Sequence, residues 1–73
     1  MDYQPISCMQ HERLELAVLR RSPLMLQLKD GRALSGRALD VYTREGAEWL
    51  RFLDRETGEI TIRLDALERV TQD

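Results

Sequence analysis

Residues 24–40 read Leu24-Met-Leu-Gln-Leu-Lys-Asp-Gly-Arg-Ala-Leu-Ser-Gly-Arg-Ala-Leu-Asp40. The first half alternates: Leu24, Leu26 and Leu28 point one way, Met25, Gln27 and Lys29 the other. A period of two is that of a half-buried strand. Asp30-Gly31 follows, a dipeptide that tolerates the positive φ of a two-residue hairpin turn. A second strand returns from Arg32, and Gly36 interrupts it where an isolated glycine marks a bulge or bend. A bent second strand curls a short sheet toward a small barrel.

The same order of features continues downstream. Arg37 to Tyr42 extends the second strand, Arg44-Glu45-Gly46 turns, and Ala47 to Leu53 is a third strand carrying Trp49, Leu50 and Phe52. Asp54 to Gly58 is a polar turn, and Glu59 to Leu64 a fourth strand with Ile60 and Ile62 inward. Leu64 to Leu67 turns briefly and Glu68 to Thr71 is a fifth strand. Five short strands separated by turns predict a small antiparallel barrel. An apolar strand, a Gly turn, a strand bent at a second Gly and then Asp40 resemble the first motif of Sm-like proteins. Ile62-Arg63 resembles the second, with Leu64 where that motif has glycine.

Upstream, Met1 to Ser7 is an extended lead-in, with Pro5 biasing Gln4 away from helix. Ser7 reads as an N-cap with Gln10 in capping-box spacing, and a helix is predicted from Cys8 to Arg21. Arg20 and Arg21 complement its dipole, and Ser22-Pro23 stops it. At 100° per residue Leu14, Ala17 and Val18 share one side, while Cys8, Met9, Leu16 and Leu19 lie nearly opposite. A helix apolar on two sides has two neighbours: one is the sheet, the other a partner or the loops of the same small domain.

The chain has 73 residues, one cysteine, 13 acids and 11 bases, for a net charge of −2. That length allows one domain with a single small core, worth only ~3–5 kcal/mol of stability. One cysteine excludes an internal disulfide and fits a reducing cytoplasm. No stretch reads as a signal peptide or membrane span. The absence of a basic excess counts against a dedicated nucleic-acid binder. Ten of the bases are Arg, which suits bidentate pairing with carboxylates and is also what a GC-rich genome produces.

Cys8 and His11 have a spacing that can place a thiol beside an imidazole or supply two zinc ligands. No further Cys or His completes a metal set, and the reading is a buried Cys8 and a surface His11. Neither a catalytic constellation nor a metal or cofactor site is expected. The RNA-binding loop of Sm-like proteins normally supplies an Asn after the aspartate at Asp40. This chain contains no Asn, and Leu64 replaces the pocket glycine. Tyr42 and Arg44 can still stack on a base.

Tyr3-Gln4-Pro5-Ile6, then Cys8, then Leu14-Glu15-Leu16-Ala17 resemble the N-terminal signature of the Rho-binding antiterminator (Rof) family. Leu28-Lys-Asp-Gly31 and Arg63-Leu-Asp65 extend the resemblance over nearly the whole chain. It departs at Met9-Gln10-His11, where a more acidic stretch is expected. The resemblance implies a mainly β fold: a small Sm-like five-stranded antiparallel barrel over 24–71, one N-terminal α-helix over 8–21, and a lead-in over 1–7. It also implies a non-enzymatic cytoplasmic protein that docks on the N-terminal RNA-binding domain of Rho, a hexameric RNA-dependent ATPase, and blocks RNA loading.

On that reading the contacts are Asp2, Tyr3, His11, Glu12, Glu15 and Leu16 at the N-terminal end, with Arg44 and Glu45 at a hairpin tip. Carboxylates suit a surface built to neutralise phosphates, and apolar anchors such as Leu16, Leu19 or Met9 hold the complex. The charged residues Asp54, Glu56, Glu68 and Arg69 are expected near the open strands, where they resist edge pairing and favour a monomer. The competing reading is a free-standing Sm-like RNA-binding module.

Overall fold

A computed structural model describes residues 8–72. Helix α1 spans Cys8–Arg20. It is followed by strands β1 (Pro23–Leu28), β2 (Ala33–Arg44), β3 (Ala47–Asp54) and β4 (Gly58–Arg63). A 3-10 turn over Leu64–Ala66 leads into β5, Leu67–Gln72. The expected lead-in and the Ser7 N-cap lie outside the described residues.

The helix ends one residue earlier than predicted, for a local reason. Arg21 adopts φ 54, and Ser22 N–H donates to Ala17 O at 3.2 Å. That is the bond pattern of a Schellman cap, in which a left-handed residue satisfies a late helix carbonyl. Arg21 occupies the place glycine usually takes.

The first turn is longer than the expected two residues. Leu28 N–H donates to Arg32 O at 2.8 Å and Gly31 N–H to Leu28 O at 3.0 Å, with Gly31 at φ 97. This is a three-residue loop, a tight turn followed by a left-handed glycine. Asp30 braces it, accepting Arg32 N–H at 3.0 Å and Arg32 Nε–H at 2.8 Å. The second turn is the two-residue kind: Glu45 and Gly46 both have positive φ, 54 and 78, and Arg44 pairs with Ala47.

β2 is the hub. Its first residues pair with β1 and its later ones with β3, and Gly36 stands opposite both Leu24 and Asp54. A Cβ at Gly36 would lie 1.9 Å from the Leu53 carbonyl oxygen. Glycine is therefore required by the close approach of β3, where the strand changes partner. A bulge between Ala38 and Asp40 adds a second bend.

All pairings are antiparallel and run in the order β4-β3-β2-β1-β5. Among the described residues no β4–β5 ladder closes the ring, so the fold is a bent five-stranded sheet with two ends. Its concave side carries Leu24, Leu26, Leu50, Phe52 and Val70, and the 3-10 turn adds Leu64, none of them accessible to solvent. Leu14 and Ala17 of α1 complete this core, as the helical period required.

Asp54 corrects one expectation. It is buried, at 7 % exposure, and organises the β3–β4 turn instead of guarding an edge. Its Oδ2 accepts the N–H groups of Glu56 at 3.0 Å and Thr57 at 2.9 Å, and the Thr57 hydroxyl at 3.0 Å. These bonds, led by the Thr57 N–H, outweigh burial and hold its carboxyl below the ordinary range.

Candidate partner-binding site

With Leu14 and Ala17 turned into the core, the 3.6-residue period directs Glu12, Glu15, Leu16 and Leu19 to solvent. Leu16 is 42 % and Leu19 80 % exposed. The outer face of α1 is thus a mixed acidic and apolar patch.

His11 ties this patch to the sheet. Its Nδ1 lies 3.0 Å from Glu15 Oε1, and its Nε2 is hydrogen-bonded to Oε2 of Glu48 on β3. Each ring nitrogen thus meets one carboxylate oxygen. The imidazole is half-buried, so the expected surface histidine is instead a bridge between elements. Farther along α1, Arg13 Nη1 donates to Val70 O at 3.1 Å, anchoring the helix to β5. Within the helix, Glu15 pairs with His11 one turn back, while Arg13 reaches across to β5.

Glu48 pairs with Thr43, one rung from the Arg44–Ala47 pair that closes the β2–β3 hairpin. Through His11, therefore, the start of α1 and the hairpin tip Arg44-Glu45-Gly46 share one end of the molecule. Beside the tip, Tyr42 and Trp49 are cross-strand partners, and Trp49 Nε1 donates to Arg44 O at 3.3 Å. They border a shallow depression of about 310 Å³ with Arg44, Glu45 and Thr61. Of the eight residues proposed from sequence, His11 and Glu15 are linked through Glu48 to the strand next to Arg44 and Glu45, and Glu12 and Leu16 are exposed on the same helix. Asp2 and Tyr3 lie outside the described residues.

Sequence reasoning missed Glu48, which has no local pattern to mark it, and undervalued Trp49. The Trp49–Tyr42 pairing was within reach, since a two-residue turn at Glu45-Gly46 sets that register.

The Sm-like RNA elements are altered in the structure too. Leu64 is fully buried and fills the core at the position of the motif glycine. Asp40 is exposed opposite Arg51, whose guanidinium makes two 3.1 Å bonds to Glu59. That pairing holds the Glu59 carboxyl below its ordinary range and raises Arg51. Among the described residues no group of three or more His, Cys, Asp or Glu is placed to hold a metal. Among them, too, no helix is long and apolar enough to cross a membrane.

The sequence profile of a family described as "Modulator of Rho-dependent transcription termination (ROF)" matches residues 5–73. The chain belongs to this family. It is 44% identical over 48 residues to "Protein rof" of Escherichia coli (strain K12), and equally to "Protein rof" of Shigella flexneri. The match covers 66% of this chain and 57% of each relative's length. The chain thus spans a little over half the length of these ROF relatives. The matched family is one of regulators of termination.

Proposed function

We propose that this protein binds transcription termination factor Rho and obstructs RNA loading on the N-terminal RNA-binding domain of the hexamer, acting without catalysis. One observation carries the reading: His11 fixes an acidic and apolar helix face beside an exposed hairpin tip. Membership of a family of Rho-dependent termination modulators supplies the partner. A surface built to grip phosphates is basic, and Glu12 and Glu15 offer it carboxylates. Leu16 and Leu19 supply apolar contact area, which holds such complexes while charges set encounter and orientation.

In this reading the bent sheet is an Sm-like barrel scaffold that presents α1. The protein acts in the cytoplasm as a monomer, and it takes no direct part in nucleic-acid binding. The net charge of −2 and the filled Leu64 position both support the last point.

The test is competition between this protein and single-stranded RNA for Rho. Glu12→Arg with Glu15→Arg is expected to abolish inhibition, each lost pair costing about 2 kcal/mol or more. Circular dichroism checks that the variant is folded. Undiminished inhibition by the folded variant would move the contact surface to the hairpin tip.

A further inference from the structure

The sheet stops at β4, whose one edge pairs with β3 and whose other edge carries no ladder among the described residues. Beside that edge lies a groove of about 450 Å³, within the size range of roughly 300–1,000 Å³ typical of ligand sites. Four consecutive residues of β4, Ile60 to Arg63, line it. Successive strand side chains point to opposite faces. A groove touching all four therefore runs along the strand's backbone edge, not over one face. Its opposite wall is the β1–β2 hairpin, with Leu28 and the half-buried Leu34 at the base.

The charge of the rim is opposite in sign to that of the chain. Lys29, Arg32 and Arg63 line the groove against a single acid, Asp30. Asp30 is bound to Arg32 and Asp65 to Arg63, at 2.8 and 3.2 Å. Counting both acids, a positive surplus remains at Lys29, on a chain of net charge −2.

From these features we infer that β4 and its groove bind an extended acidic peptide, which adds to the sheet as a sixth strand. An open strand edge supplies main-chain donors and acceptors, and flanking pockets select alternate side chains. Here the apolar base takes every second side chain, and the cationic rim selects carboxylates between them. The β5 edge carries no ladder on its outer side among the described residues either, and no β5 residue lines this groove. The inference does not depend on Rho: the groove is built from β4 and the first hairpin, not from α1 or the second hairpin.

The test uses the full chain, labelled with 15N, and two capped heptapeptides. One is Glu-Val-Glu-Val-Glu-Val-Glu; the other has Lys for each Glu. The acidic peptide is expected to shift the amide signals of Ile60 to Arg63 and of Leu28 to Arg32, and the basic peptide to leave them in place. Lys29→Glu with Arg32→Glu, both exposed, is expected to weaken the acidic peptide at least tenfold. It should leave the Rho competition unchanged, which separates this site from the helix surface. Unmoved β4 signals, or equal shifts with both peptides, would overturn the inference. A concentration-dependent mass in sedimentation with β4 shifted before any peptide is added would also overturn it, giving the groove to a second copy of the chain.

Discussion

His11 and Glu48 are 37 residues apart in sequence and joined by a hydrogen bond. That bond sets the start of α1 beside the tip of the β2–β3 hairpin. His11→Ala is expected to cost about 1 kcal/mol of stability or less, the usual range for a partly exposed pair. Its effect on Rho competition should be larger, because two contact surfaces lose their mutual position. Urea unfolding and RNA competition on the same preparation measure both, and Glu48→Gln should reproduce the effect more mildly.

Leu14 and Leu16 lie two positions apart on α1 and have opposite fates. Leu14→Ala removes a fully buried side chain and should cost about 2–5 kcal/mol. That equals most of the stability expected of so small a core, ~3–5 kcal/mol, so the variant should be largely unfolded at room temperature. Leu16→Ala should change stability by no more than about 0.5 kcal/mol, yet weaken Rho binding. Thermal melts and the competition assay separate the two.

Gly36→Ala should fail to fold to the native sheet, although alanine adds a single methyl group. The clash is with the Leu53 carbonyl, a backbone atom, so no side-chain rotation relieves it. Loss of the native amide spectrum in NMR checks this. Gly31→Asn is the graded comparison: nothing lies within 4 Å of a Cβ at Gly31, so its φ of 97 should cost about 1–3 kcal/mol in backbone strain without the steric clash met at Gly36.

Acid should destabilise the β3–β4 turn. Asp54 has its folded-state pKa lowered by the bonds from Thr57 and Glu56. Its contribution is therefore present above the unfolded carboxylate value, about 4, and is lost as pH falls through the folded one. Asp30 acts in the same direction through Arg32. Asp54→Ala should lower the urea midpoint at neutral pH and flatten the acid limb of the stability curve.

Much of the architecture was legible because it is written in local periods. The alternation of Leu24, Leu26 and Leu28 gave β1, and the 100° wheel separated Leu14 and Ala17 from Leu16 and Leu19. Features that depend on counting or on distant partners were not. The Asp30-Gly31 turn was recognisable, but its length follows from where the Leu28–Arg32 bond forms. Arg21 stops the helix in a conformation that its residue type does not advertise. Closure of the sheet was beyond reach, since strands alternate alike in an open sheet and a closed one. For the candidate site, helix acids and hairpin tip could be named separately. Their meeting through His11 and Glu48 requires the folded chain.

The bond from Arg13 to the carbonyl of Val70 spans 57 residues and bears on biosynthesis. At ribosomal speeds of 5–20 residues per second, roughly 3–11 s separate the emergence of these two positions. During that interval α1 exists without its anchor, its Leu14 face lacking the last strand of its seat. The nascent chain is then a helix and a partial sheet with exposed apolar surface. The seat of α1, begun by β2 and the His11–Glu48 bond, is completed only once β5 has been translated and Arg13 can reach Val70.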